Sequence, residues 1–340
     1  MSSPRLSVVM PVRNALPYLD AAVESILGQT HSDFEFIIRD DFSTDGSRER
    51  LRYWASRDQR IRLFEGEKGL GPAGSSNWVV AQASASIVAR MDADDISHPD
   101  RFRRQLQTLD ENPTAVLVGT LWHGIDRFGR IVRPPYVSSS KGSGFAAPFA
   151  HGSIMFRRES FNRIGGYRAE CDFWEDLDLY IRMAKHGRVL VLAEPLYQYR
   201  FSETSTRLTS RRAQVEHAVD LMLRCRSLVE QGEEYEHLLT GEAASGSARK
   251  LNPHAFLSLA FITLWSGLRP PVLQRMLRRA ELRPDVPSAK ALIVALWATL
   301  SPRTLRFVLR RRMASGSRRV RKDLGRTGVF EWPIKETQGG

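Results

Sequence analysis

The feature that most constrains this chain is an alternation of strand-like and helix-like segments through its first ninety residues. LSVVMPV (6–12), FEFIIRD (34–40), IRLFEG (61–66) and SIVARM (86–91) are short, nearly continuous apolar runs. Strands covered on both faces look like this. Helical patterns lie between them. Pro17 opens one with Leu19, Val23, Ile26 and Leu27 on one side, Ser43 or Thr44 offers an N-cap for a second, and SSNWVVAQASA (75–85) reads as a third. This alternation predicts parallel strands joined by crossover helices. Ligands of such sheets bind beyond the carboxyl ends of the strands. Two acidic clusters fall there: Asp40–Asp41, and Asp92, Asp94 and Asp95.

The remainder is less regular. PPYVSSSKGSGFAAPFAHGS (134–153) has the composition of a loop, a helix is expected from about Trp174 to His186, and RVLVLAEPLYQYR (188–200) supplies one or two strands. From about residue 209 the pattern is helical only, with Val215, Ala218, Met222, Cys225 and Val229 on one stripe. GEAASGSARK (241–250) reads as a linker. The expected organisation is therefore an α/β domain over 1–205, a helical segment and linker over 206–249, and a basic amphipathic helical region over 250–340. Charge follows this division. Residues 250–340 hold 18 Lys/Arg against 5 Asp/Glu, leaving 32 against 33 in residues 1–249. A basic region of this kind suits an anionic membrane surface, here through residues 250–322, or a solvated helical subdomain. Nucleic acid is disfavoured, because no aromatics interleave at base-stacking spacing.

Two cysteines, Cys171 and Cys225, support neither a disulfide framework nor a metal cluster. The longest apolar stretches, 255–268 and 291–300, are shorter than the ~20 residues a membrane span needs. No signal peptide is apparent. The expected location is cytoplasmic, at most peripheral on the inner face of the plasma membrane.

Three carboxylates within four positions repel one another unless a cation or several N–H groups neutralise them. On an extended chain Asp92 and Asp94 share a side, and so offer oxygens to one hard cation, Mn²⁺ or Mg²⁺, whose other positions go to water and phosphate. No His or Cys stands at zinc spacing. The same residues also suit a turn in which Asp95 or Ser97 caps the helix after His98–Pro99. Asp40 and Asp41 likewise fit either a helix-capping turn or a carboxylate accepting the N–H of a uracil, thymine or guanine.

Taken together, SVVMPVRNALPYLDAAVESILGQTHSDFEFIIRDDFSTDGS (7–47), Asn77, MDADDISHPDRF (91–102) and FWEDLDLYIRMAKHG (173–187) resemble glycosyltransferase family 2, inverting enzymes of GT-A fold. The resemblance covers roughly residues 5–205. It implies a Rossmann-like α/β fold with a mostly parallel sheet flanked by helices, extended here by an all-helical basic C-terminus. It further implies that Pro11, Val12 and Asn14 border the nucleotide base, that Asp41 contacts it with Asp40 alongside, and that Asn77, Asp92, Ala93 and Arg200 line the nucleotide sugar. Asp94, with Asp92, would hold the metal. Asp176, in a helix's first turn where the dipole favours a carboxylate, matches the base that takes the acceptor's proton. His151 and Glu175 would lie on the acceptor side. The partners implied are a nucleotide-diphosphate sugar, UDP-linked, and a glycan or lipid-linked acceptor of cell-surface polysaccharide assembly. Three positions depart from the family pattern: Phe42 replaces a usual Gly, Ser76 a usual Arg and Ser202 a usual His. The QxxRW motif of processive synthases is absent. A noncatalytic sugar-nucleotide-binding protein on the same fold is the competing expectation.

Overall fold

The computed structural model describes residues 4–133, 149–171, 174–201 and 328–332. Cys225, Ser202, residues 134–148 of the loop expected over 134–153, the helical segment and linker of 206–249 and the amphipathic segments up to residue 327 lie outside these. The described residues form a ten-stranded sheet with helices packed on it. In chain order the elements are β1 (Leu6–Val12), α1 (Leu16–Leu27), β2 (Phe34–Asp40), α2 (Ser47–Ala55), β3 (Ile61–Glu65), α3 (Gly71–Ala81), β4 (Ile87–Arg90) and β5 (Ile96–Ser97). There follow α4 (Arg101–Glu111), β6 (Ala115–Ile125), β7 (Ile131–Arg133), β8 (Met155–Arg157), α5 (Arg158–Arg163), α6 (Glu175–Ala184), β9 (Arg188–Arg200) and β10 (Val329–Glu331).

The sheet runs β10-β9-β6-β8-β4-β1-β2-β3, with β5 beside β9 and β7 beside β6. Strands β3, β2, β1 and β4 are mutually parallel, as the four apolar runs predict, and β6 pairs β9 in parallel. Every residue of β2 is buried. Two apolar layers result, one per sheet face, and they explain the missing alternation in these strands. The register aligns Val12 with Asp40 and Val9 with Arg90. Both acidic clusters consequently leave the same edge of the sheet on either side of β1.

Local chemistry corrects the sequence reading in several places. Helix α2 begins at Ser47, with Gly46 in the left-handed region (φ 92°) at its N-cap. Ser43 and Thr44 are instead consumed by the neighbouring loop: Ser43 Oγ accepts from Asn14 N (3.0 Å), and Thr44 N donates to Asn14 Oδ1 (2.8 Å). The run 188–200 is one strand. Its register against β6 shifts at Pro195, which has no N–H to give the ladder.

The all-helical C-terminus fails at one described point. Residues 329–331 form β10 on the edge of β9, and Trp332 N donates to Val189 O (2.9 Å). The reason is the alternation Phe330, Trp332, which puts both rings on one face of the sheet. Trp332 is buried against Phe149 and Tyr180 (ring centroids 6.3 and 6.2 Å). The chain's last stretch thus returns to the domain assigned to residues 1–205, and it covers an otherwise open sheet edge.

Candidate active site

The β2 cluster is tightly committed within the protein. Asp40 is fully buried and takes Arg48 Nε (2.8 Å) and Ser43 N (3.3 Å). Asp41, 3% exposed, accepts the amides of Leu70 (2.8 Å) and Gly71 (3.1 Å), where α3 begins. Arg39 lies 3.4 Å from it and Arg13 3.9 Å. Arg39 is itself held by the Trp78 ring (5.1 Å) and the Lys68 carbonyl. Pro11 and Val12 form the adjoining end of β1, and Val12 O accepts Asp41 N (2.7 Å). Asn14, left-handed at φ 52°, ties this loop to the next through its side chain.

The β4 cluster is a turn, which corrects the expectation of an extended chain. Past Arg90 the backbone folds over Ala93, which is buried, and re-enters the sheet at β5. Asp95 anchors the turn from beneath, its Oδ1 accepting Arg200 N (2.7 Å). Neither Asp95 nor Ser97 caps a helix, since α4 starts after Asp100. Asp92 pairs with buried Arg90. Asp94 is half-buried. Burial, and next the charge of Asp92, push its carboxyl up to about 6. Burial, followed by the charges of Asp94 and Asp92, raises Asp95 well above the ordinary range. Two further contacts shape this floor. Arg101, wholly buried, donates to Arg90 O (3.1 Å) and Gly152 O (2.7 Å). A Cβ on Gly152 would meet Tyr197 Oη at 1.8 Å and Asp92 Oδ2 at 2.7 Å, so only glycine fits under Asp92.

Opposite lies α6, with Glu175 and Asp176 in its first turn. Asp176 Oδ1 accepts Leu177 N (2.7 Å). Asp178, two residues on, is fully buried between Arg182 and Arg168 and braces the helix. Tyr167 and, from α6 itself, Tyr180 line the side toward the β4 turn, both with raised pKa. Burial is the main cause; the carboxylates of Asp92 and Asp176 act on both phenols in the same direction, against Arg90. The His151 ring packs on Tyr180 of α6 (6.3 Å) and the adjoining Gly152 lies under Asp92, so α6 and the β4 turn meet here. His151 opens a 3₁₀ turn there and bonds Tyr167 Oη through Nε2 (2.8 Å).

Two expected ligand contacts are occupied otherwise. Asn77 clamps the backbone of Tyr167, donating to its carbonyl (2.9 Å) and accepting its N–H (2.8 Å). Arg200 is buried, stacks over Tyr18 (4.5 Å) and donates to the carbonyls of Asp94 (2.6 Å) and Asp126 (2.9 Å). In this structure both position site loops. Arg90, Arg101, Tyr167 and Tyr197 were not singled out by sequence reasoning. Arg101 alone left a signal there, on the α4 face shared with Phe102, Gln105 and Leu109.

Residues 7–165 match Glycosyl transferase family 2. The chain is 33% identical over 235 residues to EpsE of Bacillus subtilis, assigned as a glycosyltransferase, covering 67% of this chain and 84% of that protein. The chain belongs to glycosyltransferase family 2. It is also 32% identical over 212 residues to the O-antigen biosynthesis glycosyltransferase WbnJ of Escherichia coli, covering 59% of this chain and 81% of that one. Two solved structures share the fold. A mannosyltransferase of Pyrobaculum calidifontis, in complex with GDP-Man and Mn²⁺, gives a TM-score of 0.54 at 19% identity over 96% of this chain and 89% of its own. Staphylococcus aureus TarS 1–349 with UDP-GlcNAc gives 0.54 at 14% identity over 98% of each.

As a family 2 glycosyltransferase of GT-A fold, the protein has a donor set that can be tested for a divalent cation. Among the described residues no three His, Cys, Asp or Glu side chains converge as a metal cage. Asp94 and Asp92 provide one or two hard oxygens beside an imbalance of negative charge. That suits Mn²⁺ or Mg²⁺ sharing its coordination with phosphates and water, and does not suit an all-protein site. Among the described residues no helix is long and apolar enough to cross a membrane.

Proposed function

We propose that this glycosyltransferase is inverting and metal-dependent, and that it moves one sugar from a nucleotide-diphosphate sugar, UDP-linked, to a glycan or lipid-linked glycan acceptor of cell-surface polysaccharide assembly. The observation that carries this reading is the pair of acidic clusters, Asp41 and Asp94, at the carboxyl ends of β2 and β4, flanking β1, with Asp176 in the first turn of α6, the helix whose Tyr180 packs on His151 (6.3 Å). Support for the donor class comes from the GDP-Man and UDP-GlcNAc held by the two structural neighbours, and for the acceptor class from WbnJ's role in O-antigen biosynthesis.

In this reading Asp41, an acceptor-only group, takes the N–H of the base, with Pro11, Val12 and Asn14 around it. Asp94 and Asp92 hold Mn²⁺ or Mg²⁺, which when bound supplies positive charge beside the diphosphate. Asp176 takes the proton of the acceptor hydroxyl. The freed oxygen pair forms the bond to the anomeric carbon, and the pair of the breaking C–O bond leaves with the diphosphate. One displacement inverts the anomer. His151 and Glu175 border the acceptor. The basic region of 250–322 brings the enzyme to an anionic membrane surface where a lipid-linked acceptor resides.

The test is transfer from a panel of UDP- and GDP-sugars with Mn²⁺, the product anomer being read by NMR. Asp176→Asn is expected to keep donor affinity and to lose about 10²- to 10⁴-fold in transfer. Near-normal transfer by that variant removes the base assignment. Tight nucleotide binding with no transfer to any acceptor favours the noncatalytic reading.

A further inference from the structure

Phe42 follows Asp41 directly and occupies the left-handed region at φ 65°. For a bulky L-residue that is a genuine outlier, and glycine would sit there freely. The surrounding structure over-determines it. On the N-terminal side Asp41 N donates to Val12 O (2.7 Å). On the C-terminal side Ser43 N donates to the Asp40 carboxylate (3.3 Å), and Asn14, also left-handed, bonds Ser43 and Thr44. Farther along, Leu16 N and Ala15 N donate to Asp45 Oδ2 (3.0 Å) and Ser47 Oγ (2.9 Å). A strained backbone held this firmly points to function rather than slack.

The constraint exposes a ring. Phe42 is 46% exposed, and Leu70, whose amide caps Asp41, is 37% exposed. Other exposed aromatics in the described residues are covered by cations: Tyr53 by Arg50 and Arg57 (4.3 and 4.5 Å), Phe128 by Arg127 and Arg130 (4.6 and 4.9 Å). Phe42 has no aromatic or cationic partner among the described residues. An apolar face therefore stands beside a carboxylate suited to a planar N–H donor. That combination fits a nucleobase, read on its edge by Asp41 and on its face by Phe42.

We infer that Phe42 is the stacking platform for the donor's base. This rests on the proposed function above, since it assigns a role within the same donor site. A stack is tolerant of base identity because every base has a π-face. Phe42 should thus set affinity for the nucleoside, and Asp41 should set which base is preferred.

The experiment is calorimetric titration of the full chain with UDP, GDP and inorganic pyrophosphate, each with Mn²⁺, alongside thermal melts. Phe42→Gly is expected to weaken UDP and GDP alike by about tenfold or more, to leave pyrophosphate unchanged, and to melt no lower than wild type because strain is relieved. Phe42→Tyr should restore nucleotide affinity and Phe42→Leu should not. Wild-type affinity for UDP in Phe42→Gly overturns the stacking role alone, as does an equal loss for pyrophosphate, which would mark a collapsed loop. A wild-type protein that binds neither UDP nor GDP overturns the proposed function and this assignment with it.

Discussion

The two acidic clusters leave the sheet side by side, yet the protein treats them differently. At the end of β2, Asp40 is matched by Arg48, and Asp41 by two backbone amides with Arg39 and Arg13 nearby. At the end of β4, three carboxylates have Arg90 for Asp92 and a backbone amide for Asp95, while the Arg200 guanidinium goes to the Asp94 carbonyl instead of its carboxylate. Burial and the neighbouring charges push the Asp94 carboxyl up to about 6 and raise Asp95 well above the ordinary carboxylate range. The first cluster is finished, its charges matched by the protein's own groups. The second holds negative charge that the protein's own groups do not fully balance, the property that the proposed cation site calls for.

The sharpest way to break this contrast is Asp94→Asn. Activity should fall by about 10²- to 10³-fold, the scale of losing one preorganised electrostatic contact at the reacting group. Mn²⁺-dependent strengthening of UDP binding should vanish as well. Stability should hold or rise, because a carboxylate that burial and its acidic neighbours disfavour is gone. Melting and titration on the same preparation check both halves. A clear loss of melting temperature would mean that Asp94 belongs with the finished cluster.

Asp40→Asn should do the reverse. It removes the buried partner of Arg48, which keeps Gly66 O (2.8 Å) and Glu65 (3.9 Å), and chemical denaturation should register a loss of about 1–2 kcal/mol. Direct effects on the chemical step should be small. If the variant is as stable as wild type and inactive, Asp40 touches the donor and the division of labour fails.

How far this could be read in advance follows from where each residue finds its partner. The four parallel strands and both clusters were legible because burial on two faces writes an unbroken apolar run, and the following acid marks where it ends. The turn at 92–95 was not, since it is folded by Arg200, 106 residues away. Asn77 and Arg200 were legible as polar residues near the site. Their jobs were not, because satisfying the backbone of Tyr167 and Asp94 depends on tertiary register. Strand β10 hid within a basic region whose helical periodicity dominates the reading, and only the Phe330–Trp332 alternation marked it. Its docking on β9 also bears on how the basic region is studied. Removing 250–340 would strip a strand and Trp332 from the sheet domain, so membrane affinity is best tested by replacing arginines in the full chain.

The central claim, that the β4 cluster holds a cation against the donor's diphosphate while Asp41 takes the base, is tested most directly by crystals of the full chain grown with Mn²⁺ and UDP and measured at the manganese edge. One anomalous peak is expected, bonded to the Asp94 carboxylate and to oxygens of the diphosphate, with uracil at Asp41. UDP bound between the clusters with no manganese at Asp94, or manganese elsewhere in the molecule, would contradict it.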